Sequence, residues 1–351
     1  MPFGFIPFIV AGEFYLLVNA QPYVAKPGMR RVSCKSRLNR AMRQARAMIR
    51  QAAAEEPRIA ARLAVEDEPG FAASVSRGRI SVSTGVVDRL DQLWSLLWLT
   101  PLLAGARGGM SPADGADLSL TWLLLHELMH VRLRHHSLLS STRLVEIGTP
   151  DDVRQEPAAA LGGLLDSSCL SRCLELQADD DASRVFLGTY EEADAAAFRV
   201  RAVAIFVVMA LIERENARLG NRNVTHPVAV TRLFMLMATM MTIWGDGQAE
   251  RDIRDDGHAY IPASALPEDR FEAYRQTVFR PVLSDAALII SAAGASTFID
   301  DLQDEGPLLR DLRTALFEPQ LSPDLLATQA AREWLDLAPT NQKVLRFLGY
   351  I

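Results

Sequence analysis

Two histidines and a glutamate occupy the short run His126-Glu127-Leu128-Met129-His130. Residues four apart share one face of a helix, so His126 and His130 can bind a single metal ion while Glu127 lies beside it. Neutral imidazoles leave the charge of a zinc ion uncancelled, and the ion lowers the pKa of a bound water whose proton an adjacent carboxylate can accept. The spacing therefore predicts a hydrolytic zinc site.

The residues around this run are apolar, including Leu120, Leu123 and Leu124 before it and Val131 after it. The pattern predicts a helix that is buried on most of its sides. Buried imidazoles need polar partners, so two core histidines held by hydrogen bonds are the structural alternative to a metal site. A third ligand further along the chain would favour the metal.

A catalytic zinc ion has three protein ligands and one open position. Glu175 lies between Leu174 and Leu176 in a segment of good helix formers, so we expect its carboxylate to point inward as the third ligand. Asp179 follows one turn later and is expected to accept the outer N–H of a ligand histidine, His126 in our interpretation, which fixes the tautomer of that ring. The alternative is an amphipathic helix with its carboxylates in solvent.

Later in the chain, Thr225-His226-Pro227 and Arg232 complete an ordered set with the HELMH run and the run Glu175-Leu176-Gln177-Ala178-Asp179. This set resembles the gluzincin peptidases of the HtpX and CAAX prenyl protease type, over about residues 70 to 240. The resemblance implies one zinc ion as cofactor, with Glu127 as the general base. The implied ligands are His126, His130 and Glu175.

The same resemblance gives His226 a catalytic role. When water attacks a peptide bond, negative charge develops on the carbonyl oxygen, and His226 is expected to be the donor that stabilises it. Pro227 is expected to begin the following helix, because its fixed φ suits a first helical position. Arg232 would lie on that helix, where it pairs with a carboxylate of the site, holds His226 or faces solvent.

Membrane members of that group carry transmembrane helices, each of which needs about 20 consecutive apolar residues. The apolar segments Ala202 to Ile212 and Leu233 to Trp244 are shorter and bounded by charged residues, so they are predicted to be core helices. We therefore expect no transmembrane span and a soluble, cytoplasmic version of the fold that acts on protein or peptide substrates. A narrower resemblance is to the Lit-type phage-exclusion peptidases, HExxH proteins that act on a host translation factor. Such a role would predict low basal activity and an activating partner.

The 351 residues are 49% hydrophobic, which is enough apolar sequence for a substantial core. The net charge of −6 argues against a surface devoted to nucleic acid, and the three cysteines, Cys34, Cys169 and Cys173, argue against a disulfide framework. One stretch, Lys26 to Arg50, is basic without any acidic residue and is predicted to be an amphipathic surface helix. It either contacts an anionic membrane surface or nucleic acid, or packs on the catalytic domain.

The predicted fold is α+β and mostly helical, with a zincin-like metallopeptidase domain at residues 67–245 and a small sheet beside the metal-binding helix. Residues 1–66 are expected to form an N-terminal segment with the basic helix, and residues 246–351 a C-terminal helical region. A hairpin is predicted from Phe71 to Val82 with Gly78 at its turn, and a free edge there could bind an extended substrate. His135 and His136 are expected to be polar residues near the end of the metal-binding helix.

The leading hypothesis is a zinc-dependent metalloendopeptidase. A second hypothesis is a noncatalytic gluzincin scaffold that keeps its metal for stability and acts as a binding or regulatory protein. The intact Glu127 argues against it, because this residue contributes to water activation and not to ligation. A third hypothesis is a membrane-surface or nucleic-acid-associated protein that uses the basic helix, for which binding would be strongly salt-dependent.

Overall fold

A computed structural model describes residues 27–52, 59–76, 78–135, 167–218, 226–246, 252–253, 259–260, 267–295, 305–317 and 325–348. Within these ranges the helices are α1 (Pro27–Ala52), α2 (Thr84–Leu97), α3 (Pro112–Arg132), α4 (Ser167–Leu187), α5 (Ala195–Arg218), α6 (Ala229–Asp246), α7 (Glu268–Tyr274), α8 (Arg280–Ala293), α9 (Glu305–Phe317) and α10 (Gln329–Leu348). The strands are β1 (Arg62–Glu66), β2 (Ala73–Ser76), β3 (Arg79–Ser83), β4 (Asp252–Ile253) and β5 (Ala259–Tyr260). The predicted α+β, mostly helical class is confirmed.

Helix α3 lies at the centre of the molecule. It begins at a capping box between Ser111 and Asp114, with Pro112 in the first helical turn, a combination that satisfies the free N–H groups of a helix start. Every residue from Ser119 to His130 is buried, because α1, α2, α4 and α5 pack around the helix. Gly115 allows the close approach of α2, since a Cβ atom there would lie 2.5 Å from the Trp94 ring.

The small sheet lies beside α3. Strands β2 and β3 form the predicted antiparallel hairpin, and Gly78 adopts the left-handed conformation in its turn with φ of 74°. Strand β1, which the sequence did not reveal, pairs in parallel with β3 and gives the order β1-β3-β2. Strand β2 is therefore an edge strand of this sheet among the described residues, and it contacts α3.

The basic stretch forms helix α1, and its apolar face is turned inward. Leu38, Met42 and Ile49 are buried, and the helix packs on α3. Arg37 forms ion pairs with Asp91 on α2 and Asp117 on α3, at 2.6 and 2.7 Å. The predicted amphipathic helix is therefore present, and it packs on the core with acidic partners for part of its charge.

Helix α5 contains a long apolar stretch. With the preceding 3₁₀ turn it spans Glu192–Arg218, and its length and a mean hydropathy of 2.2 would allow it to cross a membrane. In the structure 72% of that apolar window is buried, and α5 packs against α3, α6 and α8. Every residue of the predicted core segment Ala202 to Ile212 is buried. We describe α5 as a core helix, and it is the single described helix with such a composition.

Helices from the predicted C-terminal region pack directly on the predicted catalytic domain. Helix α10 contacts α4 and α6, and α8 contacts α5. Arg199 on α5 forms a bidentate ion pair with the buried Asp285 on α8, at 2.7 and 3.0 Å. The division of the chain at residue 246 stays a prediction, and these contacts bridge it.

Candidate active site

Helix α3 presents His126 and His130 on one face, as the spacing of four residues predicts. Their exposed fractions are 1% and 2%. The two Nε2 atoms are 3.1 Å apart, and the rings are nearly perpendicular, at 80°. One turn earlier, Trp122 packs against His126 with ring centroids 5.7 Å apart, and its Nε1 donates a hydrogen bond to Ser183 on α4. The inner nitrogens of both histidines therefore face the same point in the interior.

Helix α4 brings Glu175 to that point. Its Oε2 lies 3.3 Å from His126 Nε2, and its Oε1 lies 3.2 Å from His130 Nε2. The side chain is 1% exposed, so the carboxylate points inward as its position between two leucines predicts. The structure thus brings together the three residues expected to be ligands.

These three residues fit a metal ion. Ligand atoms bound tetrahedrally to zinc at its usual Zn–N and Zn–O distances are separated by about 3.3 Å, and the observed separations are 3.1 to 3.3 Å. No well-aligned hydrogen bond from a described residue reaches either buried oxygen of Glu175. Buried polar atoms normally have partners, so a cation would satisfy this carboxylate. His126, His130 and Glu175 therefore form a buried group that could hold a metal ion.

Asp179, one turn after Glu175, contacts the outer nitrogen of His126. Its Oδ1 lies 2.9 Å from His126 Nδ1. Arg232 on α6 donates through Nε and Nη2 to the two oxygens of Asp179, over 2.6 and 2.7 Å. Burial opposes the charge on Asp179, but Arg232 and His126 hold the pKa of this carboxyl below its usual value. The ionised Asp179 thus lies within hydrogen-bonding distance of Nδ1 of His126, while Nε2 of the same ring faces Glu175. Of the possibilities for Arg232, the structure places it against a site carboxylate.

Contacts between buried carboxylates and imidazoles shift the pKa values of the site. Burial alone would lower the pKa of His126, but contacts with Asp179 and Glu175 raise this pKa to about 10. Burial alone would raise the pKa of Glu175, but His226, His130 and His126 hold this pKa well below its usual value. Two buried carboxylates therefore attract positive charge, which a metal cation can supply in place of a proton.

Glu127 lies beside the two histidines on α3 and is 2% exposed. Burial is the main cause of its raised pKa, and the nearby Glu175 adds to it, whereas His126 and His130 oppose it. A carboxyl group with a raised pKa exchanges its proton closer to neutral pH than an exposed glutamate does. Glu127 is therefore a buried carboxyl group beside the two histidines whose pKa is raised.

His226 lies just before α6, close to Glu175. Its Nε2 is 3.5 Å from Glu175 Oε2. Burial is the main cause that lowers the pKa of His226 to about 4, with Arg232 and His126 contributing and Glu175 opposing. The ring is therefore neutral at neutral pH and keeps one N–H to donate. The expected helix start at Pro227 was wrong by two residues, because α6 begins at Ala229 after Val228 accepts the first backbone hydrogen bonds.

His135 is a residue of the site that the sequence did not identify. Its Nδ1 lies 2.9 Å from Nδ1 of His130, and the side chain is fully buried. Burial, with the nearby His130, holds the pKa of His135 well below its usual value. The prediction of a polar residue near the helix end understated its role, because His135 contacts a proposed ligand. His136 lies outside the described residues.

Residues 116–246 match the family model described as Peptidase U49, which is a Lit-type peptidase family. No curated protein and no solved structure matches the chain. The matched segment contains His126, Glu127, His130, Glu175 and Asp179, and it also contains His226 and Arg232. The part of the chain that builds the buried site is thus similar to a peptidase family, which supports a proteolytic function for the protein.

Proposed function

We propose that the protein is a zinc-dependent metalloendopeptidase of the gluzincin class. The observation that carries this proposal is the convergence of His126, His130 and Glu175, with the buried Glu127 beside them. The similarity of this segment to Peptidase U49 supports a peptidase and, of the two resemblances, the Lit-type one. One zinc ion bound here would lower the pKa of a water molecule and polarise the carbonyl group of the substrate.

Four side chains of the protein carry out proton transfer, stabilisation of the developing charge and positioning of His126. Glu127 accepts a proton from the attacking water and passes it to the leaving amine, a transfer favoured by the raised pKa of its carboxyl. The neutral His226 donates its N–H to the oxygen on which negative charge develops. Asp179 holds His126 in its ligating tautomer, and Arg232 keeps Asp179 ionised.

The edge strand β2 supports an extended peptide as substrate. It contacts α3 and has no strand partner on its outer side among the described residues. A peptide that pairs with this edge would obtain much of its affinity from backbone hydrogen bonds. Its scissile bond would be held beside the metal-binding helix.

We also propose that the enzyme works in the cytoplasm. Cys34, Cys169 and Cys173 form no disulfide bond in the structure. Free thiols are typical of a reducing compartment.

The test combines metal analysis with cleavage profiling. The purified protein, loaded with zinc, is incubated with a denatured whole-cell proteome, and new N-termini are sequenced. Glu127→Gln keeps the size of the side chain and removes the base, so we expect retained zinc and a cleavage rate reduced by about 10²- to 10⁴-fold. Glu192→Gln, at an exposed position outside the site, is the matched control and should cleave as the native protein does.

Three results would contradict the proposal. Equal cleavage by the native protein and Glu127→Gln would refute the assigned base. Zinc retained at full stoichiometry by the His126→Ala, His130→Ala double variant would refute the assigned site. A protein that binds zinc at these residues but cleaves nothing, even with host extract added as a source of activator, would favour the noncatalytic scaffold.

A further inference from the structure

A line of polar side chains runs from the metal-binding face to the C-terminal helix α10. His130 Nδ1 and His135 Nδ1 are 2.9 Å apart. The side chain of Gln177 on α4 interacts with the His135 ring, and its Nε2 donates to Oδ1 of Asn341 on α10 over 2.6 Å. Four side chains, from α3, from the turn three residues beyond its end, from α4 and from α10, thus lie in sequence.

The hydrogen bonds along this line can all form if each donor lies on the side nearer to His130 and each acceptor on the side nearer to Asn341. If His130 binds a metal through Nε2, its Nδ1 carries the hydrogen and must donate. His135 then accepts at Nδ1 and carries its own hydrogen on Nε2. The Oε1 atom of Gln177 can accept from that Nε2, which leaves its amide N–H to donate to Asn341, as observed. The buried His135 Nε2 and Gln177 Oε1 have no well-aligned hydrogen bond to any described residue, so each is available to the other.

The backbone reverses sharply to bring His135 into this line. Helix α3 ends at Arg132, and Arg134 adopts a left-handed conformation with φ of 56°. A residue with a Cβ atom adopts this conformation at a cost of about 1–2 kcal/mol, and glycine is the usual choice at such helix ends. The turn folds His135 back against His130, one helical turn earlier, where a continued helix would have carried it past the site.

We propose that His135, Gln177 and Asn341 are positioning residues that hold His130 in its ligating tautomer, so that α10 forms part of the metal site. The line gives His130 the same support on its outer nitrogen that Asp179 gives His126. Partners of this kind fix the orientation of a ligand ring and contribute to metal affinity. The inference rests on the proposed function in taking His130 as a zinc ligand, and it assigns a role to the C-terminal region.

Zinc affinity is the first test. Competition with a chromophoric chelator gives the zinc dissociation constant of the full chain and its variants. His135→Ala should weaken zinc binding by about 10- to 100-fold, and Asn341→Ala should weaken it by a smaller factor in the same direction. His135→Asn keeps an acceptor near the position of Nδ1 and should restore most of the affinity. Gln342→Ala, at the neighbouring exposed position of α10, is the matched control and should bind zinc as the native protein does.

The tautomer of His130 is the second test and needs no metal. Nitrogen-15 shifts of the histidine rings report which nitrogen carries the hydrogen. The proposed line of hydrogen bonds predicts an Nδ1–H form for His130 in the metal-free native protein and a mixture of forms in His135→Ala. An unchanged tautomer and an unchanged zinc constant in His135→Ala would overturn the proposal, as would a loss of thermal stability alone. If the native protein cleaves no peptide, that result counts against the proposed function. The zinc dissociation constant and the His130 tautomer would still test the role of His135.

Discussion

Asp179 and Arg232 depend on each other because both are buried and charged. Breaking such a pair by removing one partner leaves an uncompensated charge in the interior, which typically costs about 3–5 kcal/mol. Arg232 makes two hydrogen bonds to Asp179, at 2.6 and 2.7 Å, and no other fully buried arginine is seen in the described chain. The pair is therefore a sensitive point for stability as well as for the orientation of His126.

We expect Arg232→Met to lower the free energy of unfolding by about 3–5 kcal/mol at pH 7, measured in urea. Asp179→Asn removes the charge that the methionine leaves unpaired, so the double variant should be more stable than Arg232→Met alone. The folded-state pKa of Asp179 is lowered, so its contribution to stability is present at neutral pH and is lost as the pH falls through that pKa. Strict additivity of the two substitutions would contradict a coupled pair.

Cys173 should be unreactive in the native protein. Burial, with a smaller contribution from the neighbouring Cys169, raises the pKa of its thiol to about 12, and its Sγ donates to the carbonyl of Leu337. The thiolate is the reactive form, so iodoacetamide at pH 8 should leave Cys173 unmodified and label the partly exposed Cys169. Peptide mass spectrometry measures both sites in one sample, with urea-unfolded protein as the control for full labelling. Equal labelling of the two cysteines in the folded protein would show that this burial is wrong.

Among the elements, α10 has a second connection to the site that does not involve Asn341. Glu333 accepts hydrogen bonds from the backbone N–H of Val228 and the hydroxyl of Thr231, at the start of α6, and it also pairs with Arg172 on α4. The start of a helix has free N–H groups that need such an acceptor. A carboxylate from another helix thus fixes the start of α6, three residues after His226.

Glu333→Ala should loosen this helix start. Loss of a helix cap typically costs about 0.5–2 kcal/mol, and we expect faster hydrogen exchange in peptides covering residues 226–235 than in the native protein. Peptides from α5 should exchange as before, because α5 makes no described contact with Glu333. Asp336→Ala, an exposed carboxylate on the same helix, is the matched control. Equal protection of residues 226–235 in both variants would show that Glu333 does not hold the start of α6.

The helices and strands also show which features of the site and the fold could be predicted from the sequence. Spacing on a regular helix predicted that His126 and His130 share a face and that Asp179 lies one turn from Glu175, because helical periodicity is a local property. His135 was missed because the left-handed residue Arg134 breaks that periodicity, and no glycine marks the turn. Strand β1 was missed because its pairing with β3 is a long-range contact. The role of α10 depends on single polar side chains that carry no motif.

For the whole molecule, the ion pair between Arg199 and Asp285 joins parts of the chain far apart in sequence. Asp285 also accepts the backbone N–H of Leu103, a residue with φ of 53° in the connection between α2 and α3. One buried carboxylate, 1% exposed, therefore holds α5, α8 and that connection together. These contacts link the predicted C-terminal region to the predicted catalytic domain. The hydrogen bonds from Gln177 to Asn341 and from Arg172 to Glu333 do the same.

We therefore expect the described core to unfold as one cooperative unit. In Asp285→Leu the arginine is left buried without its partner, and the free energy of unfolding should fall by about 3–5 kcal/mol. Far-ultraviolet circular dichroism and tryptophan fluorescence should give coincident transitions in urea. Asp269→Ala, at an exposed position on α7, controls for loss of a carboxylate. Two separate transitions in the native protein would instead support independent domains.

The packing of Trp122 on His126 provides the molecule with an optical probe. The indole ring lies 5.7 Å from the imidazole, and among the described tryptophans it is the one in ring contact with a proposed ligand. Emission from this indole would be quenched by Co²⁺ or Cu²⁺ bound at the neighbouring histidines, whereas the colourless Zn²⁺ would leave most of it intact. Occupancy of the site could thus be followed in the native protein by its own fluorescence, and Trp122→Phe would show how much of the signal comes from this ring.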